Sequence, residues 1–282
     1  AADELNVTQS AISRQVQNLE AQLGRPLFER NGPRLALTPV GEDYLAVVRE
    51  GLGIIRRGTT RLFRTETGPV FTISLLPSMI VQWFVPRLSD FIKQHPDISL
   101  RLDASYDVVD FAEATDIDAA IRFGEGHWPG VAAEMILDDV LVLVASPDMA
   151  RRLKKPRDVL GEKLLVEDPH WDFWGLWLEA AGIRDAPPRT ERLSDDTNVQ
   201  IQSTMLGHGV TLARGMLVAD AIREGRLVCP FKLAVRSPVQ YYFVCPRERL
   251  AEEGVSTVKR WIERAAAKTV AGMERYWGKP VS

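Results

Sequence analysis

The sequence predicts an N-terminal, all-α winged helix-turn-helix with a long linker helix, followed by an α/β domain of two lobes. Three observations lead there. A helix over Thr8–Leu23 carries a polar face opposite its apolar one, and an apolar seam with steps of three and four runs from Leu45 to Leu62. Beyond Gly68-Pro69, short β-branched runs alternate with helical stretches.

In the first helix, at about 100° per residue, Ile12, Val16, Leu19 and Leu23 share one arc, which is expected to be buried. Ser10, Ser13, Arg14 and Gln17 share another, centred about 140° away. Short hydroxyls, an amide and a guanidinium are the groups that reach base edges and phosphates in a DNA major groove. An ordinary solvated face more often carries Lys and Glu paired at i,i+4. Thr8 is the expected N-cap, Ala1–Leu5 reads as the end of a preceding helix, and Asn6 joins the two as a helix-turn-helix. Gly24 and Pro26 stop the helix. Two short apolar runs, 27–30 and 35–38, then flank Asn31-Gly32-Pro33-Arg34, a hairpin signal whose turn type Pro33 leaves open. That wing places Arg30 and Arg34 for phosphate or minor-groove contact. The candidate DNA contacts are therefore Thr8, Gln9, Ser10, Ser13, Arg14, Gln17, Arg30 and Arg34.

Thr38-Pro39 sets an N-cap and a proline at the first helical position. The seam Leu45, Val48, Leu52, Ile55, Thr59, Leu62 then implies a helix of roughly 25 residues, about 38 Å long. It could pack on its own domain or pair two chains. Charge favours pairing. The whole chain has net charge −3, and from Thr8 to Arg34 four arginines face two glutamates, a balance of only +2. Tight DNA binding therefore needs a second copy of the domain, and a coiled coil supplies it, reading half-sites about one helical turn apart or more.

Further on, Val70–Leu75, Ile98–Leu102, Ile117–Arg122 and Val140–Val144 read as strands, with a helix from about Ser78 to Gln94 interrupted at Pro86 and a short one near Asp110–Ala114. A second set follows: the strand Leu164–Val166, a helix over Asn198–Leu206, and the strands Gly209–Leu212 and Tyr241–Val244. A final long helix, about Glu248–Lys268, is expected to return to the first sheet. The alternation predicts parallel sheets. In such sheets ligands bind beyond the carboxyl ends of strands, where helix N-termini attract anions. Ser78 and Met79 follow the first strand, Ser105 the second, Arg122 and Phe123 the third, while Thr197 and Asn198 open a helix in the second lobe. These seven are the candidates for holding a small carboxylate. Ser78 and Thr197 also read as simple N-caps, and Arg122 as an internal ion-pair partner.

A hydrophobic fraction of 45% and a charged fraction of 26% suit a soluble globular chain. No apolar run approaches a membrane span, and the visible start carries no secretory signal. Cys229 and Cys245 lack metal or redox spacing and read as reduced structural residues, with a redox pair as the alternative. His95, His127, His170 and His208 are scattered, so no metal site or cofactor is expected. Gly207-His208-Gly209 is a turn, and Trp171, Trp174 and Trp177 are packing residues. Neither a Gly-x-Ser-x-Gly elbow nor a coherent nucleophile set is present, so nothing supports catalysis.

Taken together, Ala1-Ala2-x-x-Leu5-Asn6-Val7-Thr8-Gln9-Ser10-Ala11-Ile12-Ser13-Arg14-Gln15-Val16, then Leu19-Glu20-x-x-Leu23-Gly24-x-Pro26-Leu27-Phe28-x-Arg30 and Leu37-Thr38-Pro39-x-Gly41, resembles the LysR-type transcriptional regulators. That family has a further helix before Ala1, so the chain is expected to begin inside the DNA-binding domain. Trp83–Leu88, Asp118-x-Ala120-Ile121-Arg122-Phe123-Gly124 and Trp128-Pro129-Gly130 look like the subgroup of glycine-cleavage and β-lactamase-control regulators. The resemblance implies a winged helix-turn-helix over 1–39, a dimerising linker over 40–67, and a periplasmic-binding-protein-like effector domain over 68–282. Lobe I is expected at about 68–146 and 247–282, and lobe II at about 147–246. It carries effector binding onto Ser78, Thr197, Ser105 and Arg122. Double-stranded DNA, a small effector, a second copy of the chain in a homodimer or homotetramer, and RNA polymerase are the implied partners, in the cytoplasm. A transport solute-binding protein or an enzyme on the same scaffold is the alternative, against which the opening segment speaks.

Overall fold

The computed structural model describes residues 8–31, 34–62, 70–111, 114, 116–166, 172–184 and 190–281. It divides into two compact units, Ala1–Arg64 with Asp110–Thr115, and Thr65–Val109 with Asp116–Ser282. The first unit contains α1 (Gln9–Leu23), a hairpin of β1 (Phe28–Asn31) and β2 (Arg34–Leu37), and α2 (Pro39–Leu62).

Local chemistry accounts for each boundary. Thr8 caps α1, its Oγ1 accepting from the Ala11 N–H at 3.3 Å, and Gly24 ends it in the left-handed region at φ 64°. The Glu20 carboxylate accepts from the Leu27 and Phe28 N–H groups at 2.7 and 3.0 Å, fastening the start of the wing to α1. β1 and β2 pair antiparallel with Asn31 opposite Arg34, the predicted hairpin. Thr38 Oγ1 accepts from the Gly41 N–H at 3.0 Å and donates to the Pro26 carbonyl at 2.8 Å, capping α2. A Cβ on Gly41 would lie 2.0 Å from the Leu27 carbonyl oxygen, so only glycine lets α2 start against the buried Leu27.

The apolar arc of α1 is only partly covered: Ile12, Val16 and Leu19 are half-buried and Leu23 is 40% exposed. The described part of this unit is a hairpin and two helices, too few elements to bury a whole helix face. Along α2, Leu45 and Val48 are half-buried, whereas Leu52 and Ile55 are 61% and 64% exposed. The expected helix end at Ala1–Leu5, the Asn6 turn, the Gly32-Pro33 turn and the side chains of Arg30 and Arg34 lie outside what is described.

The second unit begins with β3 (Val70–Leu75), α3 (Pro77–Met79) and α4 (Val85–Gln94), joined by a π-helical turn over Ile80–Phe84. Pro86 explains the wide turn: it offers no N–H to the Gln82 carbonyl, and its ring would collide with it in a regular helix. β4 (Ser99–Ala104), β5 (Ala119–Gly124), β6 (Val131–Leu137), β7 (Val140–Val144), α5 (Pro147–Ala150), β8 (Leu164–Val166), α6 (Phe173–Ala180) and β9 (Thr190–Arg192) follow. Then come α7 (Thr197–Met205), β10 (Val210–Arg214), α8 (Gly215–Arg223), β11 (Ala234–Arg236), β12 (Gln240–Pro246), α9 (Glu253–Val270), α10 (Glu274–Trp277) and β13 (Pro280–Val281). Near Asp110–Ala114, where a short helix is expected, the Ala114 N–H bonds to the Asp110 carbonyl, an i→i+4 bond, and residues 112, 113 and 115 lie outside what is described. α9 starts at Glu253 rather than Glu248, because Arg247–Arg249 form a 3-10 turn first.

Two sheets result, ordered β4-β3-β5-β12-β6 and β13-β11-β7-β10-β8-β9. Both are mixed where the alternation predicted parallel sheets: β12 runs antiparallel to β5 and β6, and β7 antiparallel to β10 and β11. The antiparallel strands β7 and β12 are those that enter their sheet directly from the other lobe, over links of a few residues without a crossover helix. The chain passes between lobes at Asp138-Asp139, at Ser237–Val239 and again between α9 and β13, so β7 and β13 belong to the second sheet and β12 to the first, and the end of the segment 247–282 expected in lobe I lies in lobe II. The borders expected at 146/147 and 246/247 thus lie instead in the short polar links before the apolar strands β7 and β12.

Burial is concentrated in this unit. Trp261 of α9 packs against Trp83, Phe84 and Phe91 with ring centroids 6.2, 5.5 and 5.0 Å away, and α9 covers the first sheet as expected. Trp174 and Trp177 are buried in the second lobe and donate to the Leu165 and Leu233 carbonyls, both at 3.2 Å. They are packing residues, while Trp171 and His170 lie outside what is described.

Candidate functional site

Two regions carry the predicted site residues, one in each unit. On α1, Gln9, Ser10, Ser13, Arg14 and Gln17 are all exposed, and Thr8 at the cap is exposed too, its hydroxyl 3.0 Å from that of Ser10. Helical period, not tertiary packing, places these groups on one side. Arg30 and Arg34 enter through their backbones, which sit in the two paired strands of the wing.

In the second unit the candidates meet where the lobes meet. Ser78 and Met79 open the first helix of lobe I and are buried, and α3 packs against α7 of lobe II. Gln82 Nε2 donates to Asn198 Oδ1 at 3.0 Å across that junction. Thr197, also buried, accepts through Oγ1 from Arg214 Nη2 at 3.2 Å. The Arg214 guanidinium lies 4.4 Å from the Phe123 ring centroid and 5.6 Å from that of Tyr241, and those two rings are 5.1 Å apart. A cation of lobe II thus rests on aromatic faces of lobe I, an attraction strengthened by desolvation. Arg214 is only 4% exposed.

The simple-cap reading does not describe Ser78 or Thr197. Leu76 holds the cap position of α3 without a side-chain bond, and α7 is capped by Asp196, which accepts from the Asn198 N–H at 2.8 Å. Arg122 and Ser105 part company with the rest. Successive side chains on a strand point to opposite faces, so Arg122 and Phe123 cannot line one cleft together. The Arg122 guanidinium instead donates to the carbonyls of Asp107, Ser74 and Ile121 and to the Ser74 hydroxyl, at 2.8–3.1 Å. Burial lowers its pKa, against the pull of Asp103 and Asp107. Ser105 accepts from the Asp107 N–H at 3.0 Å in the same corner. Both are internal ties of lobe I.

Arg214 and Tyr241 were not among the sequence candidates. The signal existed: Arg214 ends a buried strand just before Gly215 and a helix, the same strand-end rule that selected Ser78. Reading that strand as ending at Leu212 hid it.

Among the described residues no group of three or more His, Cys, Asp or Glu could hold a metal, and no helix is long and apolar enough to cross a membrane. Burial pushes the Cys229 thiol up to about 12 and that of Cys245 to about 11, which disfavours the thiolate that redox exchange requires.

Known proteins share this arrangement. The pattern of the bacterial regulatory helix-turn-helix protein, lysR family, matches residues 1–42, and that of the LysR substrate binding domain matches residues 64–267. The glycine cleavage system transcriptional activator of Escherichia coli K12 is 33% identical over 282 residues, covering 98% of this chain and 90% of its own. The HTH-type transcriptional activator AmpR of Pseudomonas aeruginosa is 34% identical over 273 residues, covering 96% and 91%. The crystal structure of the effector domain of AmpR from the same organism superposes with a TM-score of 0.63 at 30% identity, over 72% of this chain and 98% of that one. With an exposed polar face on α1 and a two-lobed substrate-binding fold in the second unit, the chain belongs to the LysR family of bacterial transcriptional regulators, which bind DNA and small effectors and form oligomers.

Proposed function

We propose that the effector is a small carboxylate held between the lobes by Arg214, with the hydroxyls of Ser78 and Thr197 completing its shell. One observation carries this reading: a buried guanidinium of lobe II is tied to Thr197 and balanced, on the lobe I side, by aromatic faces. A carboxylate is a stronger, bidentate partner for guanidinium than a ring face. Its arrival would loosen Arg214 from Phe123 and Tyr241 and reset the lobe angle, shifting the assembly by its differential affinity for two states. Met79, Phe123 and Asn198 shape the same cleft, and Ser105 and Arg122 hold its lobe I wall.

At the other end, Thr8, Gln9, Ser10, Ser13, Arg14 and Gln17 read the major groove while Arg30 and Arg34 on the wing take the backbone or the minor groove. The exposed seam residues of α2, Leu52 foremost, pair two chains, and dimers associate into tetramers. The protein acts on chromosomal DNA in the cytoplasm, beside RNA polymerase, and regulates rather than catalyses.

Calorimetric titration of the full chain with glycine and a panel of other small carboxylates and amines tests the effector assignment. Glycine comes first because the Escherichia coli relative is named for glycine cleavage. A carboxylate should bind one per chain, and Arg214→Gln should weaken it by about 2–5 kcal/mol, at least roughly thirty-fold. Unchanged binding by Arg214→Gln, or binding by amines alone, contradicts the assignment.

A further inference from the structure

Two of the links between the lobes, Asp138-Asp139 and Ser237–Val239, meet at one buried carboxylate. Asp139, 2% exposed, accepts from the Met216 N–H at 3.1 and 3.2 Å and from its neighbour Val140 at 2.8 Å. Its own N–H donates to Gln240 Oε1 at 2.9 Å on the returning link. Gln240 Nε2 in turn donates to the carbonyls of Asp139 and Ser237 at 3.2 and 3.0 Å. The approach is close: a Cβ on Gly215 would lie 3.1 Å from Asp139 Oδ1. Met216 stands two residues beyond Arg214, in the first turn of α8, and Gln240 directly precedes Tyr241. One residue therefore grips both the helix start that carries Arg214 and the strand that carries the ring beneath it.

We propose that Asp139 is a positioning residue of the effector cleft, fixing the Arg214 corner of lobe II and the Tyr241 strand of lobe I in a single frame. The proposal rests on the reading of that cleft as the effector site. A carboxylate at a helix N-terminus, accepting backbone N–H groups, is a rigid clamp as long as it is charged. Burial raises its pKa to about 6, while the N–H groups of Val140 and Met216 and the charge of Arg214 pull it down and Asp138 pushes it up. Asp138 is itself engaged by Arg236, and Gln240 and Ser237 are uncharged. As pH falls through about 6, Asp139 takes up a proton, and its hold on the Met216 amide and its attraction to Arg214 weaken.

Arginine-labelled full chain, followed by NMR across pH, tests the clamp without any effector. Because the Arg214 guanidinium lies over the Phe123 ring, its side-chain Nε–H should appear upfield of other arginines; Arg214→Lys assigns it. In the wild type this resonance should titrate with a midpoint near 6. In Asp139→Asn it should rest at the wild type's low-pH position and no longer titrate, and in Asp139→Ala it should return to the common arginine position. The inference is overturned by an upfield resonance that survives in Asp139→Ala. It is equally overturned by a wild-type resonance flat from about pH 5 to about pH 7, or by the same midpoint in Asp139→Asn, which needs no folded Ala variant. Since no effector is added, these failures count against Asp139 alone, whereas an intact clamp with no carboxylate binding counts against the cleft.

Discussion

Arg14 and Arg214 bring the same charge into opposite settings. Arg14 stands exposed on α1, among side chains placed only by the helical period. Arg214 is buried between two lobes, bonded to Thr197 and resting on Phe123 and Tyr241, which arrive from strands far apart in sequence. An exposed cation gains from a phosphate backbone by counterion release, a modest contribution per contact that grows with the number of copies. A buried one acts through preorganisation, and it is costly to leave unpaired. Recognition on the outside is thus built by repetition and recognition on the inside by convergence.

The same contrast governs stability. In the second unit, Trp261→Ala would empty the space between Trp83, Phe84 and Phe91 and cost about 3–5 kcal/mol. Chemical denaturation followed by circular dichroism should register the loss across that whole unit; a loss below about 1 kcal/mol would mean the aromatic cluster is not its keystone. In the first unit the corresponding weak point is backbone, not volume. Gly41→Val drives a side chain into the Leu27 carbonyl and should cost about 1–3 kcal/mol, read as faster amide exchange in α1 and α2 with the second unit unchanged. Equal exchange in both proteins would place α2 differently against the wing.

What the sequence made legible follows the same line. The polar face of α1, its Thr8 cap, the Gly24 stop, the presence of the hairpin and the Thr38-Pro39 start of α2 depend on neighbours within a few residues, so period and turn chemistry suffice to read them. Ser78, Met79, Thr197 and Asn198 were found by the strand-end rule, and they sit at the lobe junction. Arg214, Tyr241, Asp139 and Gln240 were not, because their significance comes from two chain crossings that bring residues about 75 to 120 positions apart together. Arg122 is set apart for a simpler reason: the alternation of β5 turns it away from its neighbour Phe123 and toward Ser74.

The division of labour between the two arginines can be measured directly on DNA from upstream of the gene. Footprinting and carboxylate titration are run side by side on the wild type, Arg14→Ala and Arg214→Gln. Arg14→Ala should lose the specific footprint, a weakening of about 1–3 kcal/mol per base contact removed, while binding the carboxylate as the wild type does. Arg214→Gln should keep the footprint and lose its response to the carboxylate. A footprint unchanged in Arg14→Ala, or a carboxylate response intact in Arg214→Gln, contradicts the assignment of DNA reading to the exposed face of α1 and effector reading to the buried cleft.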